Sequence, residues 1–262
     1  MINIDELKKI AVLIDADNTQ LLKLKEILAE ISTYGHIIVK RAYGDWSNPS
    51  LKNWKDELNE LAIQPIQQFS YTSKKNATDA AMIIDAMDLL YTEKYDAFTL
   101  ISSDSDFTKL ASRLRESEIF VIGVGETKTP ISFRNACDDF IITENLETVS
   151  EESKATTKPI SNESKSKTKK KDEDTEKRQF EDYSLKRVET LLDMAFEKYG
   201  ENEDWVNVAK AGYFIKRSMP DFDSRTFGFK KLSDLIASLS GKYEVKKDKM
   251  GGAAAVAYYR KR

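Results

Sequence analysis

IAVLIDADNT, residues 10–19, runs an apolar stretch straight into Asp15 and then into the polar positions Asp17, Asn18 and Thr19. A short, uniformly apolar run rich in Ile and Val reads as a strand buried on both faces, which is the condition of a parallel sheet covered by helices. Asp15 then falls at the carboxyl end of that strand. The stretch FTLISSDSDF, residues 98–107, repeats the pattern with Asp104 and Asp106, and KKNATDAAMIID, residues 74–85, puts Asp79 at the start of a helix. Carboxylates gathered at one edge of a parallel sheet suggest a Mg²⁺ or Mn²⁺ site, because such ions take hard oxygen ligands.

Working outward, apolar runs at 10–14, 37–43, 63–69, 97–101, 119–124 and 140–143 alternate with segments of helical period. Leu21, Leu24, Ile27, Leu28 and Ile31 form one stripe, Ala80, Ile83, Ile84, Met87 and Tyr91 a second, and Phe107, Leu110, Ala111 and Leu114 a third. Alternation of this kind predicts a three-layer α/β domain with a mainly parallel sheet. Ligands of such folds sit beyond the carboxyl ends of the strands, where successive connections diverge to opposite faces. On the predicted second helix, ~100° per residue puts Asp79 roughly 80° from the centre of the apolar stripe and Asp85 roughly 160° from it, so Asp85 is expected in solvent.

Composition narrows the chemistry. The single cysteine, Cys137, removes a disulfide framework and a Cys-rich zinc site, and fits a reducing, cytoplasmic setting. The single histidine, His36, begins a predicted strand, so Ser-His-Asp, Cys-His and His-ligated zinc chemistry are set aside. The amino terminus, MINIDELKKI, is mixed and charged, and no apolar run approaches the roughly 20 residues of a membrane span. A soluble protein with no membrane association is expected.

Between 151 and 179 only Ala155 and Ile160 are apolar, and Lys167 to Lys171 form a basic run. Such a segment cannot bury enough surface to offset its ordering entropy. The expected division is therefore a domain at 1–148, a disordered charged linker at 149–182 and a second domain at 183–262. In the second, Leu185, Val188, Leu191, Leu192 and Phe196 mark a helix closed by Gly200, and helical patterns follow at 205–218 and 225–239. KYEVKKD, Gly251-Gly252 and AAAVAYYRKR then read as a hairpin, and helices followed by a hairpin suggest a winged-helix domain. From 205 to 262 there are 13 Lys or Arg against 5 Asp or Glu, a charge of +8 in a chain whose net charge is −3. Basic charge concentrated in one module points to a polyanion.

Each acid has a structural alternative. Asp79 could complete a cap with Asn76, Asp106 could cap a helix beginning at Phe107, and Asn18 a helix beginning near Thr19. Asp15 is less readily structural, since a buried carboxylate without partners is costly. Lys74 and Lys75 are candidates for phosphate contact, and Ser102 and Ser103 for contact with water or substrate. Gly123, Gly125, Thr127 and Arg134 fall near the same edge, where a lone GxG is a weak signal. Asp138 and Asp139 read as a surface pair before the last strand.

Through LIDADN at 13–18, TDAAMIIDA at 78–86 and TLISSDSDF at 99–107 followed by IFVIGVG, the first ~145 residues resemble an NYN domain, a branch of the PIN-like nucleases. The resemblance implies a metal-dependent ribonuclease with a Rossmann-like fold and matches Asp15, Asn18, Asp79 and Asp104 to the family's acidic site. It also matches Asp85, against the helical-wheel reading. Ser103 stands where the family pattern often has Gly. WVNVAKAGYFIKRSMPDFDSRTFGFKKLSDLIASL and the hairpin after it resemble an OST-HTH/LOTUS domain, which implies an association with RNA and, in some members, protein contacts. Lys210, Lys216, Arg217, Lys230 and Lys231 are then candidate phosphate contacts, with Tyr213, Phe214 and Phe229 nearby as core residues.

The expected function is an endoribonuclease with Asp15, Asp79 and Asp104 as Mg²⁺ or Mn²⁺ ligands and Asn18 and Asp106 orienting water or phosphate, its basic domain holding single-stranded or structured RNA. Two alternatives stand beside it. One is a noncatalytic RNA-binding or scaffold protein. The other is a haloacid-dehalogenase-like phosphatase, in which Asp15 of the DxDxT pattern at 15–19 is the nucleophile and Asp17 the general acid.

Overall fold

The structure is a computed structural model that describes residues 9–69, 77–146, 185–200, 205–248 and 255–262. The chain divides into two compact units, Met1–Val149 and Ser150–Arg262. Lys74, Lys75, Asn76, the Gly251-Gly252 turn and the charged linker at 149–182 lie outside the described residues.

In the first unit six parallel strands form one sheet: β1 (Lys9–Asp15), β2 (His36–Gly44), β3 (Gln64–Gln67), β4 (Ala97–Ile101), β5 (Phe120–Gly125) and β6 (Asp139–Ile142). Their order is β3-β2-β1-β4-β5-β6. All six apolar runs became strands. The helices between them are α1 (Leu24–Ser32), α2 (Trp54–Glu60), α3 (Ala77–Tyr91), α4 (Thr108–Glu116) and α5 (Ile131–Ala136).

Strand alternation distributes β1 between two cores. Ile10, Val12 and Ile14 pack with Leu24, Ile27, Leu28 and Ile31 of α1 and with Trp54 and Leu58 of α2. Ala11 and Leu13 pack on the other face with Met82, Ala86, Leu89 and Leu90 of α3 and with α4 and α5. Connections from β1 toward β3 therefore cover one face and those from β4 toward β6 the other. β1 and β4 are neighbours, with Ile14 opposite Ile101, so the connections part between Asp15 and Ser102. That gap is the place where α/β folds bind ligands.

The structure corrects the predicted stripe of α3. Its buried residues are Thr78, Met82, Ala86, Leu89 and Leu90, while Ile84 is 63% and Tyr91 72% exposed. With the stripe recentred, ~100° per residue places Asp85 about 70° from its middle. Asp85 is accordingly half-buried, and its carboxylate accepts from the Arg41 guanidinium and the Tyr43 hydroxyl of β2. Burial and the Asp85 charge push the Tyr43 hydroxyl well above its ordinary pKa.

The second unit is a winged-helix domain. Helix α6 covers 185–199, followed by β7 (Val206–Asn207), α7 (Val208–Ser218), α8 (Leu232–Ser238), β8 (Tyr243–Asp248) and β9 (Val256–Lys261). The three strands are antiparallel in the order β7-β9-β8. The expected single helix over 225–239 is interrupted: Ser224–Phe227 is a 3-10 turn capped by Asp223, and Gly228 follows it at φ +80, where a side chain would be strained. The helical pattern expected from 205 likewise begins as strand β7, which pairs with Tyr258 and Tyr259 of β9. Tyr259 and Tyr243 are buried, their hydroxyls donating to the Leu192 carbonyl at 2.8 Å and to Asp193 Oδ1 at 2.8 Å, which ties the hairpin to α6.

Candidate metal centre and cleft

Asp15 closes β1, and the chain turns directly after it. That turn brings the amides of Asp17 and Asn18 back onto Asp15 Oδ1 at 3.2 and 3.3 Å. The Asn18 side-chain nitrogen Nδ2 donates to Oδ2 at 2.9 Å and the Ser102 hydroxyl to the same oxygen at 2.7 Å. A carboxylate has about four acceptor positions, so all of Asp15's are engaged and the side chain is fully buried. Burial raises its pKa, opposed by the bonds from Ser102 and Asn18. Ser102 Oγ in turn accepts from the Asp104 amide at 3.0 Å, so Asp15 anchors the loop after β4.

Asp104 Oδ1 accepts from the Asp106 amide at 3.0 Å and caps the 3-10 turn Ser105–Phe107. The cap expected from Asp106 therefore comes from Asp104, and α4 begins only at Thr108. This tight turn carries Asp106 back beside Asp104, and the first turn of α3 brings Asp79 to both. Each of the three offers an oxygen within 4.8 Å of the others. Asp79 is pushed up to about 6, first by burial and then by the charges of Asp15, Asp104, Asp106 and Asp17. Three convergent carboxylates fit a hard divalent ion such as Mg²⁺ or Mn²⁺.

A cleft of about 480 Å³ opens beside the cluster, lined by Asp17, Asn18, Thr19 and Gln20 after β1, Ser103, Asp104 and Ser105 after β4, and Glu126, Lys128 and Pro130 after β5. Asp104 is common to cleft and cluster. Asp17 keeps an exposed surface at the cleft, yet the protein around it displaces enough water to raise its pKa; a bond with Thr78 opposes this and the Asp45 charge adds to it.

Several expectations change. The cluster pairs Asp79 and Asp104 with Asp106, whereas Asp15 lies beneath them with its acceptors filled. Asn18 spends its amide on Asp15, and the 3-10 turn Leu21–Lys23 has Gln20 as its cap with no side-chain bond. Gly123 and Gly125 are packing requirements: a Cβ at Gly123 would lie 2.4 Å from Phe140, and one at Gly125 2.8 Å from the Ser102 carbonyl. Arg134 is buried and donates to the carbonyls of Thr127 and Thr129. Asp139 is buried and accepts from the Tyr34 hydroxyl at 2.9 Å, while Asp138 is half-buried, accepts from the Val121 amide at 2.9 Å and pairs with Arg115, so the two are not a surface pair. His36 is exposed at the start of β2.

On the winged helix, Lys210 and Arg217 are exposed on α7, seven residues apart and so on one face, and Lys230 and Lys231 are exposed before α8; Lys216 is half-buried. Tyr213 is 54% exposed rather than a core residue. Sequence reasoning passed over Glu126 and Lys128, although both follow an apolar strand as Asp15 does, and over Trp205, whose ring lies 4.7 Å from Lys246 Nζ and 4.8 Å from the Arg260 guanidinium carbon.

A parallel α/β sheet with an acidic cluster at its switch point, joined to a winged helix, defines the class of protein. An NYN domain model matches residues 9–147 and an OST-HTH/LOTUS domain model residues 183–253. The chain belongs to the NYN domain family, with an OST-HTH/LOTUS domain following. Among solved structures it is similar to a protein of unknown function from Vibrio parahaemolyticus (16% identity, 54% of this chain and 96% of that one, TM-score 0.44). It is also similar to a UDP-GlcNAc 2-epimerase from Methanocaldococcus jannaschii (15% identity, 51% and 39%, TM-score 0.34). A comparison with curated proteins finds no match.

Proposed function

We propose that the chain is a divalent-metal-dependent endoribonuclease whose second domain holds the RNA. The observation that carries this reading is the convergence of Asp79, Asp104 and Asp106 within 4.8 Å in a domain of a nuclease family. These three would hold Mg²⁺ or Mn²⁺, which when bound would supply charge neutralisation at a phosphodiester and a water of lowered pKa.

The chain's own residues prepare that site. Asp15, through Ser102 and Asn18, fixes the two strand-end loops against each other. Asp104 commits one oxygen to the Asp106 amide, which leaves the other for the cluster. Asp17 and Asn18 line the cleft where the strand would lie. With its acceptors filled and no exposed surface, Asp15 is unsuited to act as a phosphatase nucleophile. We place the nuclease domain at 1–148, a tether at 149–182 and the RNA-binding domain, with Lys210, Lys216, Arg217, Lys230 and Lys231 as phosphate contacts, at 183–262. Lys74 and Lys75 are proposed to add phosphate contacts. A cytoplasmic setting accords with the single, buried Cys137.

The test is cleavage of a labelled single-stranded RNA by wild type, Asp104→Asn and Asp106→Asn, each with Mg²⁺, Mn²⁺ or EDTA. Cleavage that needs the metal and falls by at least ~100-fold in both variants is expected. Equal cleavage by all three proteins would place the activity elsewhere, and RNA binding without cleavage under every ion would favour a noncatalytic RNA-binding scaffold.

A further inference from the structure

A polyanion entering the cleft meets Asp17, Asp104 and Glu126, and among the described residues that line it there is one cation, Lys128. The backbone around Lys128 is held at almost every neighbouring position. The Glu126 amide donates to Ser103 Oγ at 3.0 Å, the Thr127 amide to Glu144 Oε1 at 2.8 Å and the Thr129 amide to the Glu126 carbonyl at 2.9 Å. The carbonyls on either side of Lys128, those of Thr127 and Thr129, both accept from the Arg134 guanidinium. Arg134 is 7% exposed, and a buried guanidinium is costly unless its donors are used. Gly125 lets this loop lie directly on the end of β4, since a Cβ there would sit 2.8 Å from the Ser102 carbonyl.

Lys128 thus has a fixed backbone beside Ser103 and Asp104 and a side chain that reaches into solvent, 74% exposed, paired with Glu126 Oε2 at 3.0 Å. An exposed ion pair of this kind is weak and exchanges readily for a phosphate oxygen. We propose that Lys128 is a phosphate contact for the RNA strand in the cleft, and that Glu126 is its resting partner, displaced when the strand binds. The proposal rests on the nuclease reading, and a loop clamped by a buried arginine explains how one lysine can position a strand beside the acids.

The experiment uses the full chain as wild type, Lys128→Ala, Lys128→Arg and Glu126→Gln, with a labelled single-stranded RNA. In the cleavage arm with Mg²⁺, Lys128→Ala is expected to raise KM by roughly 5- to 10-fold and to change KM more than kcat, Lys128→Arg to stay near wild type, and Glu126→Gln to lower KM. In a binding arm with EDTA, the slope of log affinity against log salt is expected to fall by about 1 in Lys128→Ala. Wild-type KM and slope in Lys128→Ala would overturn the proposal. If the wild type fails to cleave, the nuclease reading falls while the binding arm still decides whether Lys128 touches RNA.

Discussion

Asp79 shows how the acids act on one another. Its folded pKa of about 6 lies above its ordinary value of 3.8, so the folded chain holds that proton more tightly than the unfolded chain does. Stability linked to this proton is therefore present below about pH 4 and lost as pH rises through about 6, the reverse of a salt-bridged aspartate. In EDTA the melting temperature of Asp79→Asn is expected to gain on wild type as pH rises over this interval, and saturating Mg²⁺ above pH 6 to raise the wild-type value. A wild-type-minus-variant difference that is flat with pH would contradict the assignment. The sequence marked Asp79, Asp104 and Asp106 as site residues from their places at strand ends and a helix start. It did not reveal that four donors converge on Asp15, because those come from a turn and from the loop after a neighbouring strand.

Helix α3 is where pattern reasoning failed at the level of an element. Its sequence is apolar nearly all round, so period does not single out the buried face, and packing on β1 and β2 chose Met82 and Ala86 over the expected Ile84 and Tyr91. Met82→Ala is expected to cost about 2–5 kcal/mol by leaving a cavity, whereas Ile84→Ala should stay within about 1 kcal/mol. Asp85→Ala should cost about 1–3 kcal/mol by leaving Arg41 and Tyr43 without their acceptor. Urea midpoints of the three variants check the order, and a costly Ile84→Ala would mean that the outer face is covered. Asp85 holds α3 to β2 and with it the aim of Asp79, which accounts for an acid that belongs to the helix yet stands apart from the cluster.

At the scale of the whole molecule, two units of different charge share one chain. If the +8 segment at 205–262 and the acidic cleft engage the same RNA, joining them raises the effective concentration of one for the other. The full chain is then expected to bind a long single-stranded RNA more tightly than either unit or an equimolar mixture of the two, with affinity falling steeply as salt rises. Affinity no greater than that of the isolated second unit would show that the cleft adds nothing to binding. Among the described residues no helix is long and apolar enough to cross a membrane.

The sequence by itself determined the strand runs, the alternation with helices, the edge on which the acids gather and the concentration of basic charge at 205–262, because these follow from local periodicity and from residue chemistry along the chain. Tertiary structure alone decided which face of α3 is buried, that Asp15 lies under the cluster while Asp106 joins it, and that Arg134 fixes the loop presenting Lys128. Each of those depends on which atoms from distant segments occupy the same small volume, and that is settled only when strands β1, β2, β4 and β5 lie side by side.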